Sequence, residues 1–255
     1  MVVTERVDSN LEDALESLRS GGFVLLHDAT SRENEIDMVI AAEFASPEHV
    51  RMMRTEAGGL LCVALSNEIG KKLGLVRMHD IFLSAARQYP ILRSLNEEET
   101  PYGGKPAFSI TVNHRRTFTG VTDLDRSLTI CELAHLAKKA IENEQDSTRE
   151  FGKDFKAPGH VHLLLESEGS LEKRRGHTEL SVHLCELAGL TPVVALCEML
   201  DGSNHKALSF DSATTFARRN AIPIIEAEQV MSDFFKDNGA YFAPQSVSQW
   251  NHGSN

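Results

Sequence analysis

The sequence predicts a single domain of α+β (mixed α/β) class with three layers: a twisted mixed sheet with helices on both faces. Short apolar runs of strand length are interleaved with segments whose apolar residues recur at helical spacing. The interleaving is not strict, because polar turns at 28–35 and 113–117 each join consecutive strands. No linker rich in Pro, Gly or Ser divides the chain. We therefore expect one domain over residues 1–240 and a disordered tail over 241–255.

The first third of the chain carries clear start and stop signals. A capping residue, Ser9 or Asn10, opens a helix that ends at Gly21-Gly22. Ser46-Pro47 opens a second helix, which stops at Gly58-Gly59. Apolar runs bounded by polar residues predict buried strands at 23–27, 38–42 and 60–65.

The rest of the chain alternates between patterned and irregular segments. Residues 108–112 alternate with period two, as a half-buried strand does, and 117–122 is predicted to pair beside them. Thr129 and Glu132 form a capping box for a helix that runs to Ile141. Irregular structure is expected at 67–104, with a solvated acidic run at 97–99, and at 143–156. Further strands are predicted at 161–165, 193–197 and 222–225. Three further helices are predicted: one at 177–188, one capped by Ser212, and one that follows the last strand and runs through Phe234.

The charge balance narrows the range of partners. The chain has 26 Lys and Arg against 37 Asp and Glu, a formal charge of -11, which disfavours nucleic acid and anionic membranes as main partners. No apolar run approaches the ~20 residues of a membrane span, and the start of the chain lacks the apolar region of a secretion signal. A cytoplasmic protein with reduced thiols is expected, because each cysteine lies in an apolar stretch: Cys62, Cys131, Cys185 and Cys197.

The densest polar cluster is the run Arg32-Glu-Asn-Glu-Ile-Asp37, between two apolar strands. Its three carboxylates, Glu33, Glu35 and Asp37, repel one another unless a cation or an arginine neutralises them. The pattern fits a site for a hard metal ion or for acid/base chemistry, and it equally fits an acidic surface turn.

A second cluster, Arg174-Arg-Gly-His-Thr-Glu179, stands at the start of a predicted helix. Free amide donors and a partial positive charge make a helix start suited to a phosphate group, and Arg174, Arg175 and Thr178 would complete such a cradle. His177 would lie beside the anion. The alternative is a helix cap at Thr178 next to a solvated basic patch.

Three weaker signals remain open. His160 stands where a loop enters a strand, a common place for catalytic groups. Glu198 ends an apolar strand, where it is either a buried base or a glutamate facing water. The acids and arginine between Thr119 and Arg126 either bind sugar hydroxyls, or Asp125 and Arg126 form an ion pair with each other. We find neither a dinucleotide glycine fingerprint nor a Walker loop.

Taken in order, these motifs resemble the 3,4-dihydroxy-2-butanone 4-phosphate synthase family over residues 11–235. The set comprises Arg32–Asp37, Thr119-Gly-Val-Thr122, Asp125-Arg126, Pro158-Gly-His-Val161, Arg174–Glu179 and Cys197-Glu198. The segment between Gly74 and Phe108 is similar to the archaeal branch, and no fused cyclohydrolase domain is expected. The resemblance implies a homodimeric lyase that converts ribulose 5-phosphate to 3,4-dihydroxy-2-butanone 4-phosphate and formate, in riboflavin biosynthesis.

The resemblance also implies roles for individual residues. Glu33 and His177 would be the ligands of Mg2+. Because one ligand is a histidine, Mn2+ is also compatible with the site. The metal would lower the cost of the enediolate that forms when a proton is removed beside the ketone. The resemblance implies that His160 and Glu198 are essential to catalysis, and we also predict a catalytic role for Asp37 and Glu35. The substrate-binding residues that it implies are Arg32, Asp37, Arg174, Arg175, Gly176, His177, Thr178 and Glu198. We also predict substrate binding by Glu33, Thr122, Asp123 and Arg126.

Ile36 departs from the family pattern, in which glycine is common at this position, so we expect a stiffer loop here. Two other functions share the predicted pocket. An isomerase or aldolase acting on a related ketose would form the same enediolate but release no formate. A non-catalytic sugar-phosphate or metal sensor would not need a proton-transfer pair such as His160 and Glu198.

Overall fold

The computed structural model describes residues 10–96, 105–142 and 146–237. The helices are α1 Leu11–Arg19, α2 Pro47–Met52, α3 Asn67–Lys72, α4 Met78–Ala85, α5 Ile91–Ser94, α6 Asp123–Glu142, α7 Ser147–Asp154, α8 Ser170–Lys173, α9 His177–Leu187, α10 Phe210–Asn220 and α11 Ala227–Asp237. The strands are β1 Val24–His27, β2 Ile36–Ala41, β3 Cys62–Leu65, β4 Phe108–His114, β5 Phe155–Leu165, β6 Val193–Glu198, β7 Leu200–Asp201, β8 Lys206–Ala207 and β9 Ile224–Glu226.

Within the described residues, seven strands form one sheet in the order β4-β5-β3-β6-β2-β1-β9. The β3/β5 and β1/β9 pairs are parallel, and the other neighbours are antiparallel. The remaining strands, β7 and β8, form a small separate hairpin. The predicted mixed sheet is confirmed, and the short polar turn between β1 and β2 is what allows those two strands to pair directly.

Alternate side chains of the strands enter two different cores. Leu25 and Ile40 pack on one face with residues of α2, α6 and α10, whereas Leu26 and Val39 pack on the other with residues of α1, α9 and α11. This alternation is the period-two rule of a strand covered on both sides. The three-layer architecture predicted from the sequence is therefore confirmed.

Two helix starts follow the sequence signals closely. The side chain of Asn10 accepts a hydrogen bond from the backbone N–H of Asp13, which completes a capping box for α1. Ser46 caps α2 in the same way, with Pro47 at its first position. Caps of this kind stabilise a helix by about 1 kcal/mol each. Local hydrogen bonds therefore determine the residue at which each of these two helices begins.

The prediction for residues 117–122 was wrong. This segment is a loop, and β4 pairs with β5 instead. The predicted capping box at Thr129 was also wrong, because α6 begins six residues earlier, at Asp123. Thr129 lies inside the helix, where its hydroxyl donates to the carbonyl of Asp125 and accepts from the backbone N–H of His114.

Other boundaries differ more modestly. Ser209, rather than Ser212, caps α10. The segments predicted to be irregular contain the short helices α3, α4, α5 and α7. The acidic run at 97–99 and the predicted tail at 241–255 lie outside the described residues. The four cysteines are free, three of them buried, in agreement with reduced thiols.

Candidate active site

The loop between β1 and β2 is folded around Asp28, whose side chain is fully buried. One oxygen of Asp28 accepts from the backbone N–H of Glu35 (2.9 Å), and the other accepts from that of Glu33 (3.1 Å). Arg32 donates to this second oxygen (3.0 Å) and to Glu33 (2.6 Å). These hydrogen bonds fix the conformation of the acidic turn. Arg32, which belongs to the same turn, reduces the repulsion between its adjacent carboxylates.

The first residue of α9, His177, meets this loop. Its Nδ1 lies 3.3 Å from Oε2 of Glu33, and its Nε2 lies 3.7 Å from Oδ1 of Asp37. Burial alone lowers the pKa of His177, but Asp37 and Glu33 outweigh burial and raise it to about 9. The structure thus brings the acidic turn and the helix start together. We call Asp28, Glu33, Glu35, Asp37 and His177 the acidic-loop cluster.

Three members of this cluster fit a divalent cation. Asp28, Glu33 and His177 each offer a ligand atom, and these atoms lie within 4.8 Å of one another. Carboxylate oxygens with one imidazole nitrogen suit Mg2+ or Mn2+. Asp28 was not assigned a role from the sequence; its position directly after a buried strand and before the acidic turn was the available signal.

Asp37 and Glu198 stand opposite each other on β2 and β6. Asp37 is 1% exposed, and within the described residues its Oδ1 has no hydrogen-bond partner. Burial, with Glu198 and Glu33 adding to it and His177 opposing, raises the pKa of Asp37 to about 7. Burial, followed by repulsion from Glu33 and Glu198, also raises the pKa of Glu35. Asp37 can therefore take up and release a proton near neutral pH.

The side chain of Glu198 is held at one oxygen. Its Oε2 accepts from the backbone N–H of Leu60 (2.7 Å), and its carbonyl accepts from that of Gly59 (3.0 Å). A Cβ at residue 59 would lie 2.5 Å from both of those Glu198 oxygens, so this close approach requires glycine. Glu198 is half-buried, so it is neither the fully buried base nor the glutamate facing water that the sequence left as alternatives.

Two guanidinium groups flank the start of α9. A Cβ at Gly176 would lie 2.4 Å from Nη1 of Arg174 and 2.7 Å from Nη2 of Arg32, so these two nitrogens are no more than about 5 Å apart. Thr178 is buried within the first turn of the helix. Arg175 lies over the ring of Phe235, 5.5 Å from its centroid. Arg32, Arg174 and the free amides of the helix start form a positive pocket suited to an anion.

The remaining predicted site residues, which we call the outer group, are His160, Thr122, Asp123 and Arg126. Asp123 pairs with Arg126 (3.0 Å) and with Arg54 (2.9 Å), and the hydroxyl of Thr122 accepts from the N–H of Asp125 at the start of α6. The ion pair that the sequence left open is thus made by Asp123, not by Asp125, with Arg126.

His160 is exposed in an irregular part of β5. Its backbone N–H donates to Oδ1 of Asn113 (2.8 Å), and its Nδ1 lies 3.1 Å from Nδ2 of the same residue. These contacts of the outer group are made with Arg54, Asn113 and Asp125 and within the group itself.

His162, two residues along β5, was missed by sequence reasoning. It stands opposite Cys62 on β3, and its Nδ1 is buried without a hydrogen-bond partner in the described residues. Burial lowers the pKa of His162, against the opposing effect of Glu198. Only the repetition of histidine at alternate positions of this strand pointed to it.

A buried cluster of carboxylates and imidazole beside paired guanidinium groups is typical of enzymes that act on phosphorylated substrates. The model of the family described as 3,4-dihydroxy-2-butanone 4-phosphate synthase matches residues 12–232. The chain belongs to this family, which converts ribulose 5-phosphate to 3,4-dihydroxy-2-butanone 4-phosphate in riboflavin biosynthesis.

Relatives and solved structures agree with this assignment. The chain is 45% identical to 3,4-dihydroxy-2-butanone 4-phosphate synthase of Methanothermobacter thermautotrophicus, over 89% of this chain and 96% of the relative. It is 39% identical to that of Archaeoglobus fulgidus, over 89% and 94% of the two chains. A solved structure of such a synthase in complex with two magnesium ions matches with a TM-score of 0.73 and 29% identity, over 91% of this chain and 99% of that one. The predicted archaeal-type family is confirmed.

Proposed function

We propose that this chain is a lyase, dependent on Mg2+ or Mn2+, that forms 3,4-dihydroxy-2-butanone 4-phosphate and formate from D-ribulose 5-phosphate. The observation that carries the proposal is the contact between Glu33 and His177, 3.3 Å apart, beside the guanidinium groups of Arg32 and Arg174. One side of this site suits a cation and the other suits a phosphate group. A phosphorylated sugar with vicinal oxygens offers both ends at once.

Glu33 and His177 would hold the metal, with Asp28 as a third ligand or as the residue that fixes Glu33. The fit rests on the donor set and on the 4.8 Å spread of its atoms. A bound cation would withdraw electron density from the substrate oxygens and ease proton removal beside the ketone. The synthase structure with two magnesium ions supports this choice of metal.

Arg32 and Arg174 would bind the phosphate group with Arg175, Gly176 and Thr178 of the helix start. Guanidinium groups donate paired hydrogen bonds to phosphate oxygens, and the first amides of α9 point toward the same region. This fixes one end of the substrate and orients the ketone end toward Asp37 and Glu198. The substrate carbons would therefore lie next to groups able to move protons.

Asp37, Glu35, Glu198 and His160 would carry out the proton transfers. A pKa near 7 allows Asp37 to accept a proton in one step and to return it in the next. Its Oδ1, without a hydrogen-bond partner in the described residues, is available to a substrate hydroxyl. Glu198 has one oxygen held by Leu60, and the other would face the substrate.

The chain would act as a homodimer in which the outer group completes the site of the partner subunit. The loop before α6 and the first turn of that helix expose three large apolar side chains, which we call the apolar rim: Phe118 (93% exposed), Leu124 (70%) and Val121 (53%). Burying such a patch favours association. His160 is connected to it, because Asn113, its hydrogen-bond partner, packs where a Cβ of Gly120 would be.

A cytoplasmic location is proposed from the free, mostly buried thiols, which suit a reducing compartment. Among the described residues, no helix combines the length and apolar character needed to cross a membrane.

The test is incubation of the protein with ribulose 5-phosphate and Mg2+, with and without a chelator, followed by proton NMR. We expect a formate signal that grows with the four-carbon product and disappears with the chelator. Consumption of the substrate without formate would instead identify an isomerase or aldolase. No consumption of ribulose 5-phosphate with either Mg2+ or Mn2+ would refute the proposed enzymatic activity.

A further inference from the structure

Glu179, on the first turn of α9, is a carboxylate with no exposure to solvent. Its Oε2 accepts a hydrogen bond from Nη1 of Arg174 (2.6 Å). Its Oε1 accepts from the backbone N–H of Ser167 (3.0 Å), which follows the end of β5. Both oxygens are therefore engaged, and the carboxylate joins the positive pocket to the sheet.

The arginine held by Glu179 lies close to two other arginines. Nη1 of Arg174 and Nη2 of Arg32 converge at Gly176. Arg77 is also close: after burial, the nearby charge of Arg174 helps to lower its pKa, and Glu179 opposes this. Like charges at such distances separate unless fixed carboxylates balance them. Asp28 and Glu33 balance Arg32, and Glu179 balances Arg174.

We propose that Glu179 is a positioning residue for the phosphate pocket. It holds Arg174 beside Arg32 before the substrate arrives, so that both guanidinium groups meet the phosphate without rearrangement. An arginine placed in advance loses less rotational freedom on binding, which raises affinity for the anion. The inference rests on the proposed function in one respect, that the anion of this pocket is a phosphate monoester.

The decisive variant is Glu179→Gln, which keeps the shape of the side chain. The amide offers one acceptor and one donor where both neighbours, Arg174 and Ser167, are donors, so one of the two contacts is lost. With the Mg2+-loaded protein and inorganic phosphate as the probe, calorimetry should show binding about tenfold weaker than wild type. The KM for ribulose 5-phosphate should rise by a similar factor, with kcat and the affinity for Mg2+ little changed.

A double-mutant cycle separates positioning from general structure. If Glu179 acts through Arg174, Glu179→Gln has no further effect on phosphate binding in the Arg174→Ala background. A matched control is Glu166→Gln, which changes a neighbouring buried carboxylate bonded to Asn67 and Ser170. This control should bind phosphate as wild type does.

Tighter or unchanged phosphate binding by Glu179→Gln would overturn the inference, as would an additive loss in the Arg174→Ala background. If Glu179→Gln does not fold, Arg174→Lys tests the same link, since lysine keeps the charge but not the planar fork that Glu179 holds. Wild-type binding by Arg174→Lys would then overturn it. A protein that binds phosphate but forms no formate refutes the proposed function alone, because the phosphate experiments still decide the role of Glu179.

Discussion

The acidic-loop cluster and the outer group differ in how far one chain completes them. In the acidic-loop cluster, Asp28, Asp37 and His177 are buried, and each contacts another member. In the outer group, His160 is exposed and bonded to Asn113, beside an apolar rim that no described residue covers. The exposed position of His160 beside this rim supports our proposal that a partner subunit brings the two groups together.

The largest effect is expected from Glu33→Ala. Glu33 contacts both His177 and Arg32, so its loss would remove the proposed metal ligand and leave the arginine with one carboxylate fewer. Turnover should fall by about 10³-fold or more, with the melting temperature within a few degrees of wild type. Initial rates of formate release measure this, and the exposed Glu172→Ala serves as the control. An active Glu33→Ala protein that ignores chelators would remove Glu33 from the metal site.

His160→Ala should lower kcat by about 10²–10⁴-fold, the usual range for loss of a proton-transfer group. Substrate binding should remain, because we assign the phosphate to Arg32 and Arg174, whereas His160 is bonded to Asn113. The exposed His135→Ala, on α6, is the matched control. Turnover equal to that of the control would place His160 outside the mechanism.

Mixing Glu33→Ala with His160→Ala tests whether the two groups meet across subunits. If they do, each mixed dimer has one site in which both residues are intact, and random exchange should restore about a quarter of wild-type activity. If both groups act within one chain, no mixture has an intact site. Mixtures as inactive as the separate variants, despite verified subunit exchange, would contradict the shared site.

The smallest effect concerns stability. The folded pKa of Asp37, about 7, lies above its ordinary value of 3.8, so its contribution to stability is present below about pH 4 and is lost as pH rises through 7. Asp37→Asn removes that loss. With metal removed from both proteins by a chelator, the free energy of unfolding of Asp37→Asn should therefore rise relative to that of wild type between pH 4 and pH 7, by about 1–3 kcal/mol. Urea unfolding at several pH values measures this, and a difference independent of pH would argue against the raised pKa.

The sequence predicted the acidic-loop cluster better than the outer group for a local reason. Residues 32–37 are contiguous, and their clustered carboxylates already indicated that a cation or an arginine must neutralise them. The helix start at His177 is equally local, and its positive end indicated an anion. Nothing in the sequence showed that Asp28 would accept three hydrogen bonds and fix the loop, because that role depends on the loop closing on itself.

The errors of prediction fall where tertiary contacts decide. Residues 117–122 have strand-like composition, yet Asp125 accepts hydrogen bonds from the N–H groups of Phe118, Thr119 and Gly120 and holds them in a loop. Thr129 resembles a cap but bonds to β4 from inside α6. In both places a contact made by the folded chain replaced the local preference.

The central claim is that His177 and the acidic loop share one cation. Pulsed electron paramagnetic resonance of the protein loaded with Mn2+ tests it directly, because a coordinated imidazole nitrogen modulates the electron spin echo. We expect this nitrogen signal in wild type and its loss in His177→Gln, with bound manganese quantified in both. Mn2+ bound by wild type without the signal, or with the signal retained in His177→Gln, would contradict the account.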